Sequence, residues 1–214
     1  MVYYFTSTAV SPPATIYMGK DKFENEELIK HGWEEDVWFH VDKLSSAHVY
    51  LRLQPGQSWD SIPEELLIDL AQLTKANSIE GNKKDNMTII YTPWSNLKKS
   101  PGMETGQVSF HKSTVVKRIH VEKRVNEIVN RLNKTRVESY PDLAEEKIKR
   151  QRDTRQAVRQ AEKQQRVKQQ EYIDEKRKEK EMRDYSRVLK EEHMYSNKSI
   201  SGGRSIQEIE EDFM

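Results

Sequence analysis

A long stretch near the C-terminus contains no residue that would interrupt a helix. Residues 145–192 include neither Gly nor Pro and are dominated by Glu, Lys, Arg and Gln, which all favour helical backbone. Their few apolar side chains keep no steady heptad spacing, which argues against a stable coiled coil. Charge pairs four residues apart favour a solitary helix instead. We therefore expect a long, solvent-exposed, charged helix over residues 142–195, solitary or coiled-coil-like, that buries no core of its own.

The composition of the chain changes at about residue 142. All seven Pro lie at or before Pro141, and all four Trp lie at or before Trp94. The residues before this point contain enough aromatic and aliphatic side chains for an ordinary core. The sequence therefore predicts three parts: a folded domain over 1–141, the charged helix over 142–195, and a flexible acidic tail over 196–214. The tail is a candidate docking segment for a protein partner.

Two neighbouring segments have the alternating pattern of half-buried β-strands. In residues 36–42 and 47–53, apolar side chains alternate with polar or aromatic ones. The link between them is short enough for an antiparallel hairpin. Centring that hairpin near Leu44 pairs the residues of its second face as follows: Asp36 with Arg52, Trp38 with Tyr50, and His40 with His48.

Other segments complete an α+β pattern. Further strands are predicted at residues 2–6, 15–18, 87–92, 107–112 and 115–121. Helices are predicted at residues 25–30, 61–75 and 125–132. Ser61 and Glu64 can form a capping box at the start of the second helix, where Pro63 suits the first turn. We expect a small mixed or antiparallel sheet with two or three packed helices.

The second face of the predicted hairpin combines aromatic rings with imidazoles and a guanidinium group. Stacking of bases suits Trp38 and Tyr50, whereas contacts to phosphates or base edges suit His40, His48 and Arg52. A merely solvated face would more usually lack Trp and Tyr. The alternative is that both aromatic residues pack under a helix, with the histidines hydrogen-bonded beside them.

The small net charge of +1 conceals two basic blocks. Residues 76–136 carry 12 basic and 5 acidic side chains, and residues 147–168 carry 9 basic and 2 acidic side chains. Such blocks indicate an anionic partner, although a solvated surface remains the alternative. The second block suits RNA, ribosomal RNA or an anionic membrane surface, but it lacks an apolar face for insertion. The candidate phosphate contacts in the first block are Lys98, Lys99, Lys112, Lys117 and Arg118.

Several classes of protein are disfavoured by what the sequence lacks. There is no cysteine, which excludes disulfides and thiolate metal sites, and no Gly-rich phosphate loop. Two histidines with Asp36 or Asp42 are a weak zinc pattern. We therefore expect no metal and no cofactor. No apolar run reaches the ~20 residues of a membrane span, and the N-terminus lacks a signal-peptide pattern. A cytoplasmic location is expected, with nuclear or peripheral membrane association left open.

Two ordered blocks of residues carry a resemblance to a known family. The first comprises Met18-Gly19-Lys20, Asn25, Leu28, Asp36-Val37-Trp38-Phe39-His40-Val41, Ser45-Ser46-Ala47-His48-Val49 and Arg52. The second comprises Ile90-Tyr91-Thr92-Pro93, Leu97-Lys98-Lys99 and Gly106-Gln107-Val108. Together they resemble the NFACT-R family over about residues 1–120. The resemblance implies an RNA-binding domain linked to tRNA and to ribosome-associated quality control. The chain departs from larger members in lacking their N-terminal parts, and from many members in having Ser45-Ser46 instead of Pro-Gly.

Two further functions remain open from the sequence. A metal-independent ribonuclease acting on tRNA or peptidyl-tRNA would use His40 and His48 as base and acid. Asp36 or Asp42 would orient an imidazole, and the phosphate would be stabilised by one of three cations, Arg52, Lys98 or Lys99. A DNA-binding sensor or membrane-surface adaptor would use the basic blocks to bind DNA or an anionic membrane, and the tail to bind a protein. The first expectation is a non-enzymatic protein that prefers RNA.

Overall fold

The strands predicted from alternating patterns assemble mainly into one sheet. The computed structural model describes residues 1–184. Its β-strands are β1 (Val2–Ser7), β2 (Ala14–Gly19), β3 (Asp36–Val41), β4 (Val49–Arg52), β5 (Met87–Pro93), β6 (Leu97–Lys98), β7 (Ser109–Phe110), β8 (Lys117–Val121) and β9 (Val137–Ser139). Seven of them form an antiparallel sheet in the order β8-β5-β3-β4-β2-β1-β9, while β6 and β7 form a separate two-stranded hairpin. The predicted α+β class is confirmed.

The helices are divided between the two faces of this sheet. They are α1 (Lys22–His31), α2 (Glu64–Ala76), α3 (Asn126–Lys134) and α4 (Leu143–Arg183). Leu70 of α2 and Leu132 of α3 pack into one hydrophobic cluster, and Leu28 of α1 packs into another. The sheet is therefore covered on both sides, by α2 and α3 on one face and by α1 with the β6–β7 hairpin on the other.

The register predicted for the central hairpin is confirmed in its first two pairs. Asp36 lies opposite Arg52 and Trp38 lies opposite Tyr50 in the antiparallel ladder of β3 and β4. His48 precedes the first residue of β4, and its ring centroid lies 5.0 Å from that of His40. The three side-chain pairs therefore do meet on one face, as cross-strand neighbours should.

The first hydrophobic core lies between the sheet and α2. Val37 and Phe39 of β3 and Leu51 of β4 point towards Leu70 and its neighbours, and all are buried. These are the apolar positions of the alternating pattern, so one face of each strand is fully used. Complete burial of each such side chain contributes about 1.5–3 kcal/mol, which makes this layer the main stabilising element of the domain.

The face that the sequence predicted to be exposed is buried as well. Trp38 and Tyr50 are only 1% and 0% exposed, because Leu28 and Phe110 pack over them. The ring of Phe110 meets Trp38 edge to face, with centroids 5.7 Å apart. Tyr50 stacks on Tyr17 with centroids 5.0 Å apart. The alternative considered above therefore holds, and both rings belong to a second core.

The helix ends differ from the sequence prediction in two places. Ser61 and Glu64 form no capping box, since α2 starts after Pro63 without a side-chain cap, and the Ser61 hydroxyl donates instead to the carbonyl of Ser58. In contrast, α1 begins three residues before the predicted start. The carboxylate of Asp21 accepts the backbone N–H groups of Phe23 and Glu24, which is a standard N-cap.

The charged helix α4 is present and long. Its 41 residues span about 62 Å at 1.5 Å per residue, and none of them is buried. The chain divides into a compact unit over Met1–Arg152 and a second unit from Asp153 onwards. Two further predictions lie outside the described residues: the last part of the charged helix, over 185–195, and the flexible acidic tail over 196–214. Within residues 1–184, no helix is both long and apolar enough to cross a membrane.

Candidate nucleic-acid interface

Arg52 is held in a buried ion pair with Asp36. Its Nε and Nη2 atoms donate to the carboxylate oxygens of Asp36 at 3.0 and 3.3 Å, and the guanidinium carbon lies 3.5 Å from the ring centroid of Trp33. Asp36 also accepts the hydroxyl of Tyr17 at 2.5 Å and the backbone N–H of Trp33 at 2.7 Å. Burial, followed by the charge of Asp36, raises the pKa of Tyr17 well above its usual value, so this hydroxyl remains a donor. Arg52 therefore has a structural role in the domain, and its phosphate contact stays a prediction.

The two histidines form one cluster with Trp38. The indole Nε1 donates to Nδ1 of His48 at 2.9 Å, so the neutral His48 ring carries its proton on Nε2. His40 stacks on the indole with ring centroids 5.2 Å apart, and its Nδ1 contacts the carbonyl of Val41 at 2.8 Å. The hydrogen bonds of Asp36 within the described residues go to Tyr17, Trp33 and Arg52 rather than to either imidazole. Asp36 therefore orients neither histidine.

The protonation of these histidines bears on the ribonuclease hypothesis. Burial, and then the electrostatic effects of His40 and Lys99, lower the pKa of His48 to about 3. Burial also lowers the pKa of His40. Both shifts favour the neutral imidazole, which is the form of a general base rather than of a general acid. In the described part of the chain, no three His, Asp or Glu side chains converge in a group that could hold a metal ion.

Lys99 is also engaged in structure. Its ammonium group donates to the carboxylate of Glu26 at 2.8 Å and to the carbonyls of Glu104 and Gln107 at 2.8 and 3.0 Å. The same carboxylate oxygen accepts the backbone N–H of Gly106 at 2.8 Å, where the chain has a φ of +82° that favours glycine. Burial opposes the charge of Glu26, but the Gly106 N–H and the Lys99 ammonium group hold its pKa below the usual value. This Glu26–Lys99 clip fastens the loop between β6 and β7 onto α1.

Three of the predicted cations remain free. Lys98, Lys112 and Arg118 are exposed, and within residues 1–184 their side chains form no hydrogen bond or ion pair. Lys117 differs, because its ammonium group donates to the carbonyl of Asp60 at 3.1 Å and lies 4.8 Å from the ring centroid of Trp59. We call the three free cations the basic rim.

The basic rim follows the β6–β7 hairpin and the adjoining edge strand β8. The side chain of Asn96 donates to the carbonyl of Lys112 and accepts its N–H, both at 2.9 Å, which fixes the backbone at this position. Arg118 lies opposite Ile90 on β5, and Ile90 lies opposite His40 on β3. Because cross-strand neighbours share a face, Arg118 and His40 belong to the same face of the sheet. Arg118 of the rim therefore lies on the same face of the sheet as the half-buried His40, with strand β5 between their strands.

The sequence missed the residues that close the second core. Trp33, which stacks on Arg52, and Glu26, which fastens the loop of Lys99, carry no periodic signal. The burial of Phe110 could have been predicted from the sequence. It is a large apolar residue in a short predicted strand, and such a residue packs into a core. Treating residues 107–112 as part of a covering hairpin would have predicted the burial of Trp38.

This architecture defines an α+β domain with exposed, unpaired cations at Lys98, Lys112 and Arg118. The sequence profile of the NFACT protein RNA binding domain matches residues 1–112. This match spans more than half of the chain and includes the strands β1–β7 with the helices α1 and α2. The chain therefore belongs to the NFACT-R family and carries its RNA-binding domain.

Curated relatives resemble the chain beyond that domain. Coiled-coil domain-containing protein 25 of Danio rerio is 64% identical over 155 residues, which cover 72% of this chain and 75% of that protein. The protein of the same name in Mus musculus is 55% identical over 198 residues, covering 92% of this chain and 95% of that protein. The family resemblance expected from sequence is confirmed, and the similarity includes most of α4.

A solved structure supports the fold alone. The C-terminal part of the fibronectin/fibrinogen-binding protein from Streptococcus suis matches with a TM-score of 0.50 at 19% identity. The match covers 63% of this chain and 48% of that structure, so this chain corresponds to about half of the larger molecule. At this low identity, the likeness extends to the arrangement of elements and not to the residues of the basic rim.

Proposed function

We propose that this protein is a non-enzymatic RNA-binding protein that prefers tRNA and works with the ribosome in cytoplasmic quality control of translation. Two findings support the proposal: the chain belongs to a family defined by an RNA-binding domain, and that domain exposes free cations on a fixed backbone. Phosphate contacts of this kind determine most of the affinity of proteins for nucleic acids.

The observation that carries the proposal is the basic rim. Lys98 and Lys112 lie on the hairpin that covers Trp38, and Arg118 lies on the neighbouring edge strand. Their ammonium and guanidinium groups are free, whereas Lys99, Lys117 and Arg52 already have protein partners. Neither Trp38 nor Tyr50 offers a free ring to a base, so recognition by the domain rests on phosphates and on the edge of His40.

A binding titration at several salt concentrations tests this assignment. The full chain is titrated with tRNA and compared with the variant K98A/K112A/R118A. The matched control K20A/K83A/K134A removes three exposed lysines elsewhere in the domain. Each lost phosphate contact reduces the slope of log affinity against log salt by about 0.7–0.9, so the rim variant should lose about 2–3 in slope, and the control less than 1.

Competition with DNA tests the preference for RNA. We expect an unlabelled duplex DNA of the same number of nucleotides to displace tRNA poorly. Equal competition would contradict the tRNA preference and would favour the DNA-binding alternative. Equal slopes for the rim and control variants, with both proteins folded, would show that the rim is not the interface. Co-sedimentation of the full chain with ribosomes, reduced by the rim variant alone, is the expected result for a ribosome-linked role.

A further inference from the structure

Four cations form a single stripe along α4. Arg155, Arg159, Lys163 and Arg166 are spaced by four, four and three residues, and each of them is exposed. With 3.6 residues per turn, these positions fall within an arc of about 80° and extend for about 16 Å along the helix. We call this set the α4 stripe.

The α4 stripe differs from the distal part of the same helix in its pairing. Near the described end, Lys176 pairs with Glu179 at 3.0 Å, and Arg177 lies 3.8 Å from Asp174 and 3.7 Å from Glu181. These are the intrahelical ion pairs expected of a solitary charged helix. Within the described residues, no cation of the stripe forms an ion pair or a side-chain hydrogen bond, although Glu162 is close in sequence.

This arrangement is unfavourable for the isolated helix. Arg155, Arg159 and Lys163 stand at successive i, i+4 positions, where like charges destabilise a helix by about 0.2–0.5 kcal/mol per pair. Residues 154–168 contain five cations and only one carboxylate. In the distal half of α4, by contrast, carboxylates lie within ion-pair distance of Lys176 and Arg177. The uncompensated stripe therefore suits an external polyanion, whose binding would relieve the repulsion.

The surroundings of the stripe favour a nucleic-acid backbone over a lipid surface. Helices that lie on membranes need a continuous apolar face. Between residues 154 and 168 the apolar side chains are two Ala and two Val, and Val158 and Val167 lie on opposite sides of the helix. Gln156, Gln160 and Gln164 follow the stripe on one flank and supply amide groups of the kind that hydrogen-bond phosphate and sugar oxygens.

We propose that the α4 stripe is a second RNA-binding site, which takes the phosphate backbone of structured RNA without regard to base sequence. The inference rests on the proposed function in one respect, namely that RNA is the anion the protein binds. It adds a separate surface, since the stripe lies wholly within the unit that starts at Asp153, whereas the basic rim lies within Met1–Arg152.

A pair of charge-matched variants of the full chain tests the proposal. R155Q/R159Q/K163Q/R166Q neutralises the stripe, and K176Q/R177Q/K178Q/K180Q removes the same charge from the distal half. Glutamine is a good helix former, and circular dichroism checks that helix content is retained. Titration with tRNA should show a loss of roughly 100-fold for the stripe variant at about 150 mM salt, with a salt slope reduced by about 3, and a loss of less than about threefold for the distal variant.

The possible outcomes separate the stripe from the basic rim. Equal losses in the two variants, or none in either, would overturn the stripe while leaving the proposed function intact. A loss for the stripe variant with no loss for K98A/K112A/R118A would support the stripe and contradict the rim. Failure of the wild-type chain to bind RNA would overturn both. Vesicles of phosphatidylserine and phosphatidylcholine provide the last arm, because a stripe variant that loses only vesicle binding would show that the anion is lipid.

Discussion

At the scale of single residues, buried polar groups determine how this domain is built. Asp36 is fully buried and satisfies Tyr17, Trp33 and Arg52 at once, while His48 accepts the indole N–H of Trp38. Both contacts lie on the face that sequence patterns alone assign to nucleic acid. A buried charged or polar side chain depends on its partners, because leaving it without a hydrogen bond or counter-charge lowers the stability of the fold.

Removal of Asp36 should therefore be strongly destabilising. We expect Asp36→Ala to lower the free energy of unfolding by about 3–5 kcal/mol, since it leaves the guanidinium group of Arg52 largely buried without its counter-charge. Urea unfolding followed by tryptophan fluorescence measures the change. Glu138→Ala is the control, because it breaks the exposed ion pair with Arg136 and should cost at most about 1 kcal/mol. Similar costs for both variants would contradict the structural role of Asp36.

His48 should make the stability of the domain depend on pH. In the unfolded chain its pKa is near 6.5, and in the folded protein it is about 3. Between these values the unfolded chain binds a proton that the folded protein does not, so stability falls as the pH falls below about 6.5, by at most about 1.4 kcal/mol per pH unit. We expect wild type to lose about 2 kcal/mol more than His48→Asn between pH 7 and pH 5, measured by urea unfolding. Parallel pH profiles of the two proteins would contradict the shift.

At the scale of elements, the cover of the second core is the part that distinguishes this fold from a simple sheet with two helices. The β6–β7 hairpin supplies Phe110 to the core, and the Glu26–Lys99 clip ties its loop to α1. Lys98 and Lys99 are neighbours in sequence, yet one is free and the other makes three hydrogen bonds. Two adjacent lysines thus differ completely in their side-chain contacts.

Substituting Lys98 and Lys99 one at a time should separate an effect on the β6–β7 loop from an effect on tRNA binding. We expect Lys99→Met to increase hydrogen exchange and proteolytic cleavage in residues 100–107, because the loop loses three hydrogen bonds. Lys98→Met should leave exchange in the loop unchanged and weaken tRNA binding by roughly three- to tenfold through one lost phosphate contact. Exchange mass spectrometry and the tRNA titration give the two readings. An unchanged loop in Lys99→Met would contradict the clip.

The elements that could be predicted from the sequence were those with a regular alternation of apolar and polar residues. Alternation located β3 and β4 and gave their register, because a one-residue slip would turn Val37 and Phe39 away from the first core. Burial of the second face followed from tertiary contacts with Phe110 and α1, which no local pattern encodes. The candidate phosphate contacts could be only partly distinguished for the same reason. The sequence shows which residues are charged, but not whether a carbonyl or carboxylate already binds the ammonium or guanidinium group.

At the scale of the whole molecule, the compact unit extends beyond the point where the composition changes. It includes the start of α4, where Lys147 donates to the carbonyl of Lys30 and lies 4.4 Å from the ring centroid of Trp94. Arg150 pairs with Glu35 at 2.7 Å. The first turns of the charged helix therefore contribute to the stability of the domain, which a boundary at residue 141 would overlook.

Truncation of the chain tests where the domain ends. We expect a chain ending at Arg152 to unfold within about 2 °C of the full-length protein, and a chain ending at Asp142 to unfold at least about 4 °C lower, because it lacks Leu143, Lys147 and Arg150. Differential scanning calorimetry measures both. In the full chain, K147A/R150A should reproduce part of the loss and Lys149→Ala should not. Equal melting temperatures for the two truncated chains would place the boundary at residue 142 instead.

The position of β8 at the end of the sheet has a consequence for the behaviour of the protein in solution. On its outer side, within the described residues, β8 has no neighbouring strand, and such an edge is a template for another chain. Lysine and arginine on an edge strand oppose this pairing, and β8 begins with Lys117 and Arg118. We therefore expect the charge of Arg118, proposed above as a phosphate contact, to oppose edge-to-edge pairing of two copies as well. Substitutions that remove both charges should therefore promote aggregation, even in a protein that no longer needs to bind RNA.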